Sequence, residues 1–199
     1  MNASPRSHAL TPLSQGSRRT LAYDAIRAMV VSAELAPGSS FTEGQLAERF
    51  GMSTVPVREA LLLLAGHHLV TAKHGSGYTV APVTRARAED AYRVRLLLEC
   101  DAVAHAARHD AERTAEHLRS HDHEFHLHVG RHSGSERVLH ALELALLESD
   151  RAERLVGLTE HHDHKELVAA IERRDAATAK RLIREDIQDA RRRTLALLS

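Results

Sequence analysis

The chain has 199 residues, of which 43% are hydrophobic and only 3% aromatic, and its formal net charge is zero. That length suits one or two packed domains. The single cysteine, Cys100, excludes an intramolecular disulfide framework, and the apolar run ALLLLA is far too short to cross a membrane.

Taken in chain order, residues 1–17, MNASPRSHALTPLSQGS, are polar and small, with no apolar core of a secretory signal, and read as a flexible tail. A cytoplasmic protein with no membrane partner is expected, and the lone cysteine fits that reducing compartment. Residues 1–83 carry 7 Lys/Arg against 5 Asp/Glu, while residues 84–199 carry 20 against 22. Any affinity for nucleic acid therefore comes from a local basic surface, not from the whole chain.

Residues 18–83 read as a winged helix-turn-helix. Thr42 is placed to cap a helix whose apolar positions are Leu46, Ala47 and Phe50. Gly51 supplies the positive φ of a sharp turn. Ser53 is the next candidate cap, and Pro56 falls in the first turn of a second helix, where its missing N–H costs little. Val57, Ala60, Leu61 and Leu64 give that helix its buried face. Leu69–Ala72 and Tyr78–Ala81 read as strands, with His74-Gly75-Ser76-Gly77 as the hairpin turn. The start of the second helix is the part that meets base edges in such proteins. The candidate DNA contacts are Arg49, Ser53, Thr54 and Arg58, with Lys73 and His74 at the tip of the wing.

The segments LAYDAIRAMVVSAELAPGSSFTEGQLAERFGMSTVPVREAL and HHLVTAKHGSGYTVAP closely resemble the N-terminal domain of the GntR family of bacterial transcription regulators. Two positions depart from that pattern. Gly44 and Thr54 stand where the family commonly carries arginine, whereas Arg58 is retained. Arginine grips guanine through two hydrogen bonds and threonine does not, so the resemblance implies an operator of altered sequence or weaker binding.

Residues 84–199 hold no proline and are rich in Ala, Leu, Arg and Glu, which favours helix. Helices are expected over Arg85–Arg108, Arg113–His132, Glu136–Val156, Thr159–Arg173 and Ala176–Leu198, with Gly130, Gly134, Gly157 and Asp175 at breaks or starts. Their apolar stripes predict an antiparallel all-α bundle, so the fold class is mainly α. Cys100 reads as a buried or half-buried helix position.

Twelve of the 16 histidines lie between His105 and His164. Asp122 and His126 are four apart and share a helix face. A carboxylate and an imidazole so placed suit one divalent metal, with further ligands from His164 and Asp186 on later helices. The remaining histidines, such as His123, His128, His161 and His162, read as solvated or as supporting groups.

This half is similar to the FCD effector domain of the FadR branch of the same family. RLLLE from Arg95 to Glu99 resembles its first-helix motif and Asp122-His-Glu-Phe-His126 its metal motif. His164 lies eleven residues before Asp175, and Asp186 eleven after it, where the family usually has histidine. The stretch from Glu99 to Asp122 is shorter than in the family. The resemblance implies a homodimer on a palindromic double-stranded DNA operator, usually as a repressor. It implies a Zn, Ni or Mn ion and a small carboxylate effector, with Arg95 a candidate effector contact or an ion-pair partner of Glu99. Two alternatives stay open: a direct metal-ion sensor, or a metal-dependent hydrolase or lyase, although no nucleophile elbow, phosphate loop or HExxH motif is present.

Overall fold

The computed structural model describes residues 14–73, 77–120, 124–158 and 163–198. His74, Asp122, His123, His161 and His162 lie outside the described residues. The chain divides between Ala81 and Pro82 into two units, with the short segment Val31–Ala33 grouped with the second.

The first unit runs α1 (Ser14–Val31), β1 (Ser40–Phe41), α2 (Glu43–Phe50), α3 (Thr54–Gly66), β2 (Val70–Lys73) and β3 (Gly77–Val80). Ser14–Ser17, read from sequence as part of the tail, belong to α1. Thr42 starts α2 with a reciprocal cap: Gln45 N donates to its Oγ1 at 3.2 Å and its own N donates to Gln45 Oε1 at 2.8 Å. Gly51 ends α2 at φ 62°, and its N–H reaches back to Ala47 and Glu48 carbonyls. Ser53 occupies the cap position of α3, but its side chain makes no capping hydrogen bond. Val57, Ala60, Leu61 and Leu64 are completely buried, with Ile26 and Ala22 of α1.

Three antiparallel strands form the wing in the order β1-β3-β2. β1, absent from the sequence reading, pairs Phe41 with Tyr78. Two residues are too few to set up an alternating pattern, and their partner is far along the chain.

The second unit consists of α4 (Arg85–His109), α5 (Ala111–Ser120), α6 (Phe125–Arg131), α7 (Glu136–Leu155), α8 (Lys165–Glu172) and α9 (Ala176–Leu197). The long α4 packs on α7 and α9, and α5 and α9 both pack on α8. Its small residues Ala102, Val103, Ala106 and Ala107 are buried, so neighbouring helices approach closely. Cys100 is 3% exposed, and burial pushes its thiol pKa up.

Two differences from the sequence reading exceed a shift of one or two residues; smaller shifts include both wing strands, expected over Leu69–Ala72 and Tyr78–Ala81. The single helix expected over Arg113–His132 is two, α5 and α6. The buried Ala115, Leu118, Phe125 and Val129 stay in one helical phase in the sequence, so periodicity alone reads them as continuous; Glu124, at φ −122° and ψ 31°, occupies the cap position before α6. α8 starts only at Lys165, whose N–H donates to Asp163 at 3.0 Å. Gly130 is not a break: it lies inside α6, where a Cβ would come 2.8 Å from Leu142. Gly134 and Gly157 do turn the chain, at φ 72° and 75°, and Asp175 caps α9 by accepting from Thr178 N at 3.0 Å.

Gly77 has φ 107°, and a Cβ there would meet the Phe41 carbonyl oxygen at 2.3 Å. Gly77→Ala should cost about 2 kcal/mol or more through backbone strain and clash. Gly66→Ala, at the end of α3 with open space around it, should change stability by less than about 1 kcal/mol. Urea unfolding of the two variants checks the contrast.

Candidate functional site

The first unit presents the start of α3 to solvent. Ser53, Thr54, Val55 and Arg58 are all exposed. The Arg58 guanidinium lies 2.9 Å from Glu43 Oε2 on α2, with 58% of its side chain exposed. Glu43 also accepts from the Tyr78 hydroxyl at 3.3 Å. Burial, then the Glu43 carboxylate, push that hydroxyl's pKa up. Arg49 pairs with Glu34, and Lys73 Nζ donates to Ser40 Oγ at 2.8 Å. Exposed pairs of this kind contribute about 0–1 kcal/mol, so exchanging a carboxylate for a phosphate or a base edge costs little. The sequence reading passed over Val55, 51% exposed in the first turn of α3; an apolar side chain there suits a thymine methyl.

The second unit brings three predicted metal ligands together. His126 of α6, His164 just before α8 and Asp186 of α9 each offer a ligand atom, all within 4.8 Å of one another. Asp186 Oδ2 lies 3.3 Å from His126 Nε2 and 3.8 Å from His164 Nε2. The His164 ring stacks on Phe125 at 3.8 Å between centroids and stands edge-on to His126. All three side chains are largely buried.

Behind His126 stands Glu99, which the sequence places in the RLLLE motif and as an ion-pair partner of Arg95 but not at the metal site. Glu99 of α4 is fully buried and its Oε2 lies 2.5 Å from His126 Nδ1. A carboxylate in that place fixes the ring orientation and turns Nε2 toward Asp186. Two imidazole nitrogens and a carboxylate oxygen, with one ring held from behind, form a donor set that suits a divalent transition metal.

Glu99 is held in turn by Arg95, whose Nε lies 2.8 Å from Oε1. Burial pushes the Glu99 carboxyl up, but His126 and Arg95 outweigh it and hold it below the usual carboxylate range. Arg95 is 3% exposed, so its pairing with Glu99 is a core contact and not a helix-surface one. Its Nη1 donates to Ser149 Oγ at 3.1 Å and lies 3.8 Å from Glu153. Glu153 also accepts from the Tyr92 hydroxyl at 2.5 Å. Beside them, burial raises the Asp150 carboxyl. Asp150 and Glu153 left no signal in the sequence beyond helical spacing, and nothing in it tied Glu99 to His126, because those contacts join different helices.

A second group of histidines lies nearby in sequence. His117 Nδ1 and His132 Nε2 are 2.7 Å apart, and the His128 ring meets His117 edge-on at 4.5 Å. His128 is 2% exposed, so the solvated reading does not hold for it. Burial and His117 lower the His132 pKa.

A model of bacterial regulatory proteins of the gntR family matches residues 19–80. An uncharacterized HTH-type transcriptional regulator in an unstable DNA locus of Streptomyces ambofaciens is 31% identical over 192 residues, covering 83% of this chain and 80% of the relative. Among solved structures, a GntR-type regulator from Rhodococcus sp. RHA1 superposes with a TM-score of 0.73 at 22% identity, over 92% of this chain and all of that one. McbR/YncC of E. coli gives 0.69 at 20% identity, over 89% and 96%. At those identities the structural likeness concerns the fold.

Glu99→Ala leaves the buried Arg95 charge without its nearest counter-ion and should cost about 3–5 kcal/mol. Arg95→Met combined with Glu99→Leu should recover much of that loss, since apolar groups of similar size replace both charges. Urea midpoints of the single and double variants measure the coupling; additive losses would show that the pair acts independently.

Proposed function

The chain belongs to the GntR family of bacterial regulatory proteins, and we propose that its helical unit is an FCD-type effector domain of the FadR branch. The protein is a DNA-binding transcription regulator. Its relatives and structural neighbours are regulators and not enzymes, so the hydrolase or lyase alternative falls.

In this reading two copies occupy a palindromic operator, one winged helix on each half-site. Repression is the proposed sense of regulation and the cytoplasm the proposed compartment; among the described residues no helix is long and apolar enough to cross a membrane. Thr54 and Arg58, with Ser53 beside them, face the bases. Arg49, Lys73 and His74 serve the phosphates, and Val55 adds an apolar contact. With only Arg58 retained of three positions that commonly carry arginine in the family, the preferred operator differs from the usual family sequence.

The convergence of His126, His164 and Asp186 carries the proposal for the helical unit. These residues, with Asp122, hold a Zn, Ni or Mn ion. Such an ion supplies a fixed positive centre with room for a further ligand. Glu99 orients His126, and Arg95 balances Glu99. Two signals suit this unit: a small carboxylate that completes the ion's coordination, or the ion itself. The engagement of Arg95 by carboxylates favours the second. Either acts on DNA affinity only through its preference between two arrangements of the protein.

Arg58→Ala should weaken operator binding at least about tenfold, as expected for loss of one good base contact, and leave metal content unchanged. His126→Ala should lose metal, with an operator affinity equal to that of the metal-free wild-type protein. Fluorescence anisotropy on an operator selected from random DNA, with native mass spectrometry of the same samples, reads both. Undiminished DNA binding by Arg58→Ala would sink the assignment of α3 as the recognition helix.

A further inference from the structure

Arg58 is the only arginine of α3, and neither Gly44 nor Thr54 offers a fork of donors to a base. Reading of a guanine by this helix therefore depends on where one guanidinium points. An arginine side chain that is 58% exposed ordinarily samples many rotamers, and binding has to immobilise it. Here one edge is already held. Arg58 Nε donates to Glu43 Oε2 at 2.9 Å, and among the described residues the two terminal amino groups have no partner. Those amino groups are free to meet O6 and N7 of a guanine while Nε stays where it is.

The carboxylate that holds Nε is itself fixed from two sides. Glu43 is the first residue of α2 and follows the reciprocal cap at Thr42, which sets its backbone. Its Oε1 accepts from the Tyr78 hydroxyl at 3.3 Å. Tyr78 of β3 is 6% exposed. It pairs with Phe41 of β1 across the sheet and stacks on that ring, with 6.1 Å between centroids and 17° between planes. Burial, then the Glu43 carboxylate, raise the hydroxyl's pKa, so it keeps its proton and remains a donor. A line of contacts thus runs from the wing through the start of α2 to α3. The Glu43 side chain is only 22% exposed, whereas both partners of the Arg49–Glu34 pair are about half exposed. A carboxylate beside a DNA-facing surface also repels phosphates. It lowers affinity for every duplex alike, and helps only where Arg58 meets its base.

We propose that Glu43 and Tyr78 are specificity-determining positioning residues: the Tyr78 hydroxyl of the wing fixes the Glu43 carboxylate, which holds Arg58 by Nε with its terminal amino groups toward one guanine of each half-site. Both act through Arg58 and not by touching DNA. The inference rests on the reading of α3 as the recognition helix.

The test uses the full chain and the operator selected from random DNA. Anisotropy titrations compare that operator, copies in which single guanines become 7-deazaguanine, and a duplex of unrelated sequence. Arg58→Ala identifies the guanine: removing its N7 should weaken binding of the wild type about tenfold and of Arg58→Ala not at all. Glu43→Ala should lose at least about threefold of that discrimination, yet bind the unrelated duplex no more weakly than the wild type. Tyr78→Phe keeps the ring and its stacking and should lose about twofold or more. Glu43→Gln keeps an acceptor for Nε and should retain more discrimination than Glu43→Ala. In the Arg58→Ala background neither Glu43→Ala nor Tyr78→Phe should change discrimination further. A merely structural role would weaken binding to all duplexes together. Full discrimination by Glu43→Ala, or equal losses on every duplex, overturns the inference, and full discrimination by Tyr78→Phe overturns the part assigned to the wing. If Arg58→Ala weakens every operator copy alike, Arg58 serves a phosphate and the inference falls while DNA binding stands. If Arg58→Ala binds the operator as the wild type does, the reading of α3 itself fails.

Discussion

A charge buried on a helix has to be answered by another charge, and in the helical unit that obligation begins at Arg95. Its guanidinium is met by Glu99 one turn further along α4, and Glu99 reaches across to His126 on α6. His126 in turn faces Asp186 on α9. The chain of contacts ties three helices together through polar groups beside a core built largely of Ala, Leu, Ile and Val. Such a chain is a weak source of net stability, because desolvation offsets much of the attraction. Its effect is geometric. Removing any member leaves a buried partner without its counterpart, so the ring nitrogen that faces Asp186 keeps one orientation.

The DNA-reading unit solves a different problem by local means. The reciprocal cap at Thr42, the left-handed Gly51 and the buried stripe of α3 set the angle between α2 and α3 within about twenty-five residues of chain. The wing adds a long-range element, since β3 must lie between β2 and the short β1. Gly77 permits that close approach at the Phe41 carbonyl.

This division explains what was legible in the sequence. The winged helix-turn-helix was readable because cap, glycine and periodicity are encoded by neighbours along the chain. β1 was not, because a two-residue strand exists only through its partner. The helical bundle was readable from its stripes, but the junction of α5 and α6 was hidden by a stripe that keeps its phase through it. His126, His164 and Asp186 were singled out by residue type and by the resemblance of their motifs to a known effector domain, and the fold does bring them together. The meaning of Glu99 was not found. An Arg and a Glu four apart on a helix are usually a surface pair, and only the packing of α6 and α7 against α4 turns them into a buried relay. The His74 and Asp122 assignments lie outside the described residues, and the sequence remains their basis.

The carboxylates that accompany the arginines of the DNA-reading unit bear on how such a protein finds its target. Arg58 is accompanied by Glu43 and Arg49 by Glu34, and residues 1–83 carry a surplus of only two positive charges. Nonspecific adhesion to duplex DNA grows with the number of phosphates a protein neutralises. A unit with so small a surplus has little electrostatic hold on DNA at large, so it lingers only briefly at each wrong site and its binding depends less steeply on ionic strength.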